Sequence, residues 1–175
     1  MQTQLQDMLP ETVNFMRQVE RNRVIEGVYP LSKFARLNES LQSNDGFISV
    51  RIEFGHCVGF ACLRAKVSAK LLVECQRCLK PMETEVTGNI KFALVNSEDE
   101  FELLPDELEP YLLEGDEQSI IDIIEDEVLL SLPMVTVHEN DCSDFMSRQQ
   151  EIIKAEKEAS NPFAALKALK GDSVN

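Results

Sequence analysis

Apolar positions follow helical spacing at both ends of the chain and alternate between them. Leu9-Pro10-Glu11 has the form of a helix start, with Pro in the first turn and a carboxylate near the positive end of the dipole. Val13, Met16, Val19 and Arg23 follow at helical spacing, and Gly27 and Pro30 stop the run, which predicts a helix over residues 10–25. Ser32 is placed to cap a second helix over 32–42, with Phe34, Leu37 and Leu41 as its apolar stripe. Ser43-Asn44-Asp45-Gly46 reads as a turn.

From Phe47 the period becomes two. Ile48, Val50, Ile52 and Phe54 point one way, and Ser49, Arg51 and Glu53 the other. Gly55-His56 is a candidate turn. Cys57 to Leu63 is mostly apolar. Val67, Ala69, Leu71 and Val73 then alternate with polar residues, and so do Val86, Ile90, Phe92 and Leu94. Short links between such runs predict an antiparallel meander with one wet face. Gly88 marks a bulge or a close approach.

Residues 96–117 form an acidic connector, with an edge strand expected at Tyr111 to Leu113. Ser119 caps a third predicted helix over 119–132. Its broad apolar face is Ile120, Ile121, Ile124, Val128 and Leu132, with Asp122, Glu125, Asp126 and Glu127 on the rest. Residues 143–160 are a polar tail, helical or unstructured. Asn161-Pro162-Phe163 opens a short amphipathic helix over 161–170, with Phe163, Leu166 and Leu169 on one face. So short a helix needs a surface to dock on, its own body or a partner. The chain therefore reads as one α+β domain over 1–142, an antiparallel sheet packed with about three helices, followed by a tail over 143–175.

Charge changes this picture more than composition does. Residues 93–147 contain 17 Asp and Glu and no Lys or Arg, and they account for the net charge of −14. Such a stretch repels a phosphate backbone and attracts basic protein. The plainer alternative is a solvated acidic loop. Glu98, Asp99, Glu100, Glu102, Asp106, Glu107 and Glu109 are the candidate partner-binding acids. The cations Arg64, Lys66, Lys70, Arg77, Lys80 and Lys91 fall in or around the predicted hairpins and form a candidate RNA-facing set, although few aromatics are available for stacking. No apolar run is long enough to span a membrane. No signal peptide is visible, which predicts a cytoplasmic, reducing location.

The candidate chemistry centres on Cys75-Gln76-Arg77-Cys78, between two alternating runs, and on His138 and Cys142. Two thiols on a tight turn with a His and a third Cys form a donor set that suits one structural zinc ion in a tetrahedron. A chance C-x-x-C with an unrelated His and Cys is the alternative. A thioredoxin-like redox pair is disfavoured, because it needs a helix N-terminus after a parallel strand. Cys57 and Cys62, in an apolar stretch, read as small core residues, with His56 as an outlying candidate ligand. No G-x-S-x-G, phosphate-binding Gly loop or H-E-x-x-H is present. This argues against an enzyme, an organic cofactor or a small-molecule substrate.

Three separated motifs resemble one family. They are Leu72-Val73-Glu74-Cys75-Gln76-Arg77-Cys78-Leu79-Lys80-Pro81, then Ile124 to Pro133 with Val135, Val137, His138 and Cys142, then Asn161 to Leu166. Glu26 to Leu31 and Arg36-Leu37 fit as well. Together they resemble the bacterial YceD family, the large ribosomal RNA subunit accumulation proteins. The resemblance implies a non-enzymatic role in large-subunit biogenesis and in 23S rRNA accumulation. Two mechanisms stay open at this point: an escort that holds a basic ribosomal protein or assembling particle on the acids, or direct contact of the hairpin cations with precursor rRNA. A cysteine-based redox or metal-responsive regulator is a more distant third.

Overall fold

A computed structural model of the chain describes residues 9–143 and 145–159. Residues 1–136 group as one compact unit and residues 137–175 as another. The first unit is built on a five-stranded sheet of β2 (Val24–Pro30), β3 (Phe47–Cys57), β4 (Phe60–Glu74), β5 (Pro81–Val95) and β6 (Glu109–Leu112), in that spatial order. A two-stranded ribbon pairs β1 (Thr12–Val13) with β7 (Gln118–Ser119). The helices of this unit are α1 (Phe15–Glu20), α2 (Ala35–Asn38) and α3 (Ile120–Ser131). The architecture is α+β, as the alternation and the final helical stripe predict.

β2 to β5 form the expected antiparallel meander. β6 departs from it by running parallel to β5, pairing Phe92 with Glu109 and Val95 with Leu112. Parallel neighbours need a crossover, and residues 96–108 supply it, including a 3-10 segment over Glu98–Leu103. The β3–β4 turn is Val58-Gly59, three residues beyond the predicted Gly55-His56. Gly55 and His56 instead pair within the ladder with Cys62 and Ala61.

The first two predicted helices are much shorter than expected. Asn14 caps α1 by accepting a hydrogen bond from the Arg17 N–H at 2.8 Å. Asn22, at φ 46°, ends the turn in the left-handed region. Residues 24–30 then become a strand, because Val24, Ile25, Val28 and Tyr29 suit an extended ladder against β3. Gly27 lacks the side chain that would have shown the alternation. Between 32 and 42 there is only a 3-10 turn, Leu31–Lys33, and the single turn of α2. Pro30, not Ser32, holds the capping position of that turn. Of the predicted stripe, Phe34 and Leu37 are nonetheless fully buried and Leu41 is partly buried against the core, so the apolar stripe is real although the long helix is not.

The core lies on one face of the sheet. Ile48, Val50, Ile52, Leu63, Val67, Leu71, Val86 and Ile90 meet Phe15 and Val19 of α1 and Ile120, Ile124 and Val128 of α3. Ser119 caps α3 as predicted, accepting from the Asp122 N–H at 3.2 Å. Gly88 is a close approach: a Cβ there would lie 2.4 Å from Glu127 Oε1 and 2.8 Å from a methyl of Val67. The Glu127 carboxylate uses that space to accept from the Asn89 N–H at 2.9 Å. Gly88→Ala must push α3 off the strand or displace this carboxylate. It is expected to destabilise the fold by about 1–3 kcal/mol, read as a lower urea midpoint. An unchanged midpoint would show that the contact yields freely.

The second unit contains α4, Phe145–Ala159, in the predicted polar tail. The proposed docking helix with Phe163, Leu166 and Leu169 lies outside the described residues.

Candidate functional site

The turn between β4 and β5 carries Cys75 and Cys78. The Cys75 N–H donates to the Lys80 carbonyl at 3.0 Å, and the Leu79 N–H donates to the Cys75 carbonyl at 2.8 Å. Leu79 closes the turn at φ 59°. This is a hairpin connection and not a helix N-terminus, so the dipole that a thioredoxin-like thiolate needs is missing here. The segment after α3 runs beside the turn. Thr136 Oγ1 donates to the Glu74 carbonyl at 2.7 Å. The Gln76 N–H donates to the Thr136 carbonyl at 2.8 Å. His138 follows two residues later.

The candidate ligand atoms of Cys75, Cys78, His138 and Cys142 all lie within 4.8 Å of one another. Cys75 is buried and the other three are partly exposed. Three thiols and an imidazole at this spacing are a donor set that can hold a metal ion. His56 is exposed and is not among the four.

The outer face of the sheet carries most of the predicted cations. Arg64, Lys66 and Lys70 on β4 and Lys91 on β5 all point outward; Lys66 is opposite Arg51 of β3, Arg64 lies between Glu53 and Lys91, and Lys70 is opposite Glu85. Arg51 was not in the predicted set, although its place in the alternation marks it as outward. Arg77 and Lys80 belong to the cysteine turn instead. The face is not uniformly basic. Arg51 bridges Glu26 at 2.8 Å and Glu53 at 3.1 Å, and Arg64 bridges Glu53 at 3.4 Å. The bond to Glu53 and the charge of Glu26 raise the Arg51 pKa further. A shallow groove of about 650 Å³ crosses this face, lined by Ser49, Ser68, Thr87, Arg51, Lys66 and Asn89 among others.

The acidic connector lies at one end of the same face. Leu104 and Leu108 pack on Cys62 and Ala93. Those two residues are a register pair, and the next pair along that face is Arg64 with Lys91. Glu98, Asp99, Glu102, Asp106, Glu107 and Glu109 are exposed, and Glu100 is partly so. Among the described residues none of these makes an ion pair. Phe101 and Leu103 are exposed between them, at 39% and 69%. On the neighbouring β6, burial and then the carboxylates of Asp122, Glu114 and Asp126 raise the Tyr111 phenol pKa.

The family model described as large ribosomal RNA subunit accumulation protein YceD matches residues 63–170. The chain belongs to the YceD family. A curated relative of that name from Haemophilus influenzae is 28% identical over 167 residues, covering 93% of this chain and 96% of its own. No solved structure matches. The family is named for RNA accumulation and not for a reaction. No described helix is long and apolar enough to cross a membrane.

Two stretches that carried the family resemblance turn out to be partners. Arg36 Nε donates to Glu125 Oε2 at 2.9 Å and Nη1 reaches Asp126 at 2.7 Å. Glu125 Oε1 also accepts from the buried Leu37 N–H at 2.9 Å. Glu125 is only 4% exposed, although helical spacing places it on the polar face. Its burial is decided by α2, which periodicity cannot locate. Cys57 and Cys62 also depart from expectation. Cys62 is a buried residue as predicted, but the two are joined in a disulfide across the β3–β4 turn.

Proposed function

We propose that this YceD-family protein is a non-enzymatic cytoplasmic factor of large ribosomal subunit assembly. It supports accumulation of 23S rRNA by holding a basic ribosomal protein, alone or in an assembling particle, on its acidic connector. The observation that carries this reading is the exposed run of Glu98, Asp99, Glu102, Asp106, Glu107 and Glu109, with the partly exposed Glu100, around exposed Phe101 and Leu103. Unpaired carboxylates with apolar side chains between them suit a basic, partly apolar protein segment. They repel RNA, so a ribosomal protein held there can be handed over to rRNA as the particle forms. Neutralising Glu98, Asp99, Glu100 and Glu102 to the amides is expected to weaken partner binding roughly tenfold at low salt and to flatten its salt dependence. A tagged pull-down with and without ribonuclease tests the partner class. A basic ribosomal protein retained after ribonuclease supports the reading.

A second reading rests on Lys66, Lys70 and Lys91, which share the outer face and make no ion pair among the described residues. Direct contact with precursor rRNA there predicts that ribonuclease removes everything captured. The ion pairs of Arg51 and Arg64 make this the weaker reading.

The metal group has a structural role in this proposal. Cys75, Cys78, His138 and Cys142 hold one zinc ion, which fastens the hairpin turn to the loop carrying His138 and Cys142. With four protein ligands no position stays open for a substrate.

A further inference from the structure

We propose that Cys57 and Cys62 are a redox modification site, acted on by a dithiol reductant, that controls how firmly residues 96–108 are held on the sheet. The two cysteines flank the tip of the β3–β4 hairpin, with their Cα atoms 5.7 Å apart. The turn between them is poor in its own right. Val58 and Gly59 have φ of 52° and 89°, the two left-handed positions of a two-residue hairpin loop. Asn-Gly suits such a loop, and a β-branched residue at its first position is strained. Val58 is also 71% exposed, so no packing compensates it. Closure of this tip therefore leans on the cross-link.

The tip is also a floor for something else. Cys62, Ala93 and Leu108 form a small buried cluster separate from the main core, with Cys57, Phe60 and Leu104 packed on it. Leu104 and Leu108 are the apolar anchors of the acidic crossover, and Leu108 is 4% exposed. The connector is thus seated on the cross-linked pair. Exposed acids lie between these anchors, at Asp106 and Glu107, and flank them, at Glu102 and Glu109.

In a reducing compartment a disulfide is usually transient and redox-sensing. The chemistry is ordinary thiol–disulfide exchange. A thiolate of the reductant attacks Sγ of Cys57, the more exposed residue of the pair. The S–S bond breaks and Cys62 leaves as thiolate, to be protonated. The second thiol of the reductant then attacks the mixed disulfide and releases Cys57. The protein gains two electrons and two protons, and the dithiol becomes a disulfide. Reduction leaves the Val58-Gly59 turn to hold the tip alone, and the seat beneath Leu104 and Leu108 loosens.

The test needs no binding partner, so its outcome is separate from that of the assembly reading. Full-length protein is equilibrated across a series of thioredoxin-type dithiol and disulfide ratios. Differential alkylation and mass spectrometry read Cys57 and Cys62. Hydrogen exchange is read on peptides covering 96–108, with β2 as the internal control. The expected result is reversible closure of the pair and, on reduction, roughly tenfold faster exchange in 96–108 alone. Cys57→Ser without reductant is expected to match the reduced pattern. If that variant fails to fold, the wild-type titration decides by itself. A pair that never closes, or equal exchange in 96–108 in both states, overturns the proposal.

Discussion

Cys75→Ser is expected to release the metal and to lower the stability of the fold. Cys75 is the one buried member of the four-residue group, and its backbone also closes the turn that presents Cys78. A serine hydroxyl is a poor ligand at neutral pH, because zinc binds the ionised thiol. Structural zinc in small peptides contributes on the order of 10 kcal/mol. This protein has a separate hydrophobic core, so only part of that appears as global stability. A loss of roughly 3 kcal/mol is expected, with Tm falling by about 6–12 °C at this chain length. Metal analysis of freshly isolated protein should give one zinc per wild-type chain and none for the variant. A strong chelator should lower the wild-type Tm to that of Cys75→Ser and leave the variant unmoved. Affinity should fall as pH is lowered, since protons compete for the thiolates and the imidazole. Wild-type protein isolated without metal would remove the zinc reading.

Glu125→Ala is expected to cost about 2–4 kcal/mol, far more than a change on the polar face of a helix normally costs. The carboxylate is buried, and one oxygen serves the Leu37 N–H while the other serves Arg36. Alanine leaves a buried N–H without an acceptor and a cavity between α2 and α3. Glu125→Gln retains an acceptor for Leu37 and should lose about half as much. Asp126→Ala removes a 59% exposed partner of the same Arg36 and should fall within about 1 kcal/mol of wild type. Urea unfolding of the three variants separates these cases. If Glu125→Ala and Asp126→Ala behave alike, the buried bond to Leu37 is not what holds the α2 segment.

Much of the sheet was legible because a half-buried strand writes its environment into its sequence. Ile48 to Phe54 keeps a period of two throughout, Val67 to Val73 and Val86 to Leu94 keep it apart from Leu72, Gly88 and Ala93, and each became a ladder strand. Ser119 and the stripe from Ile120 to Val128 likewise located α3. Tyr29 shows where such reading fails. It sits in a run interrupted by Gly27, yet its ring is buried and its hydroxyl donates to the Pro10 carbonyl at 2.6 Å. Burial pushes its pKa up to about 12, with the nearby Glu11 adding to the effect. Strand β2 owes its conformation to pairing with β3, and local spacing alone favoured a helix.

The sequence by itself determined the family, the α+β class, the four candidate metal ligands and the cation-free acidic stretch. Residue chemistry and short-range periodicity are enough for these, since donor type, charge and alternation are written locally. Tertiary structure alone decided that Glu125 is buried against Arg36 and Leu37 and that Cys57 meets Cys62. It also seated the acidic crossover, through Leu104 and Leu108, at the end of the sheet face that carries Arg64 and Lys91. These outcomes depend on which distant segments share a register row or a helix face. One residue's slip in that register would send each side chain to the opposite face of the sheet.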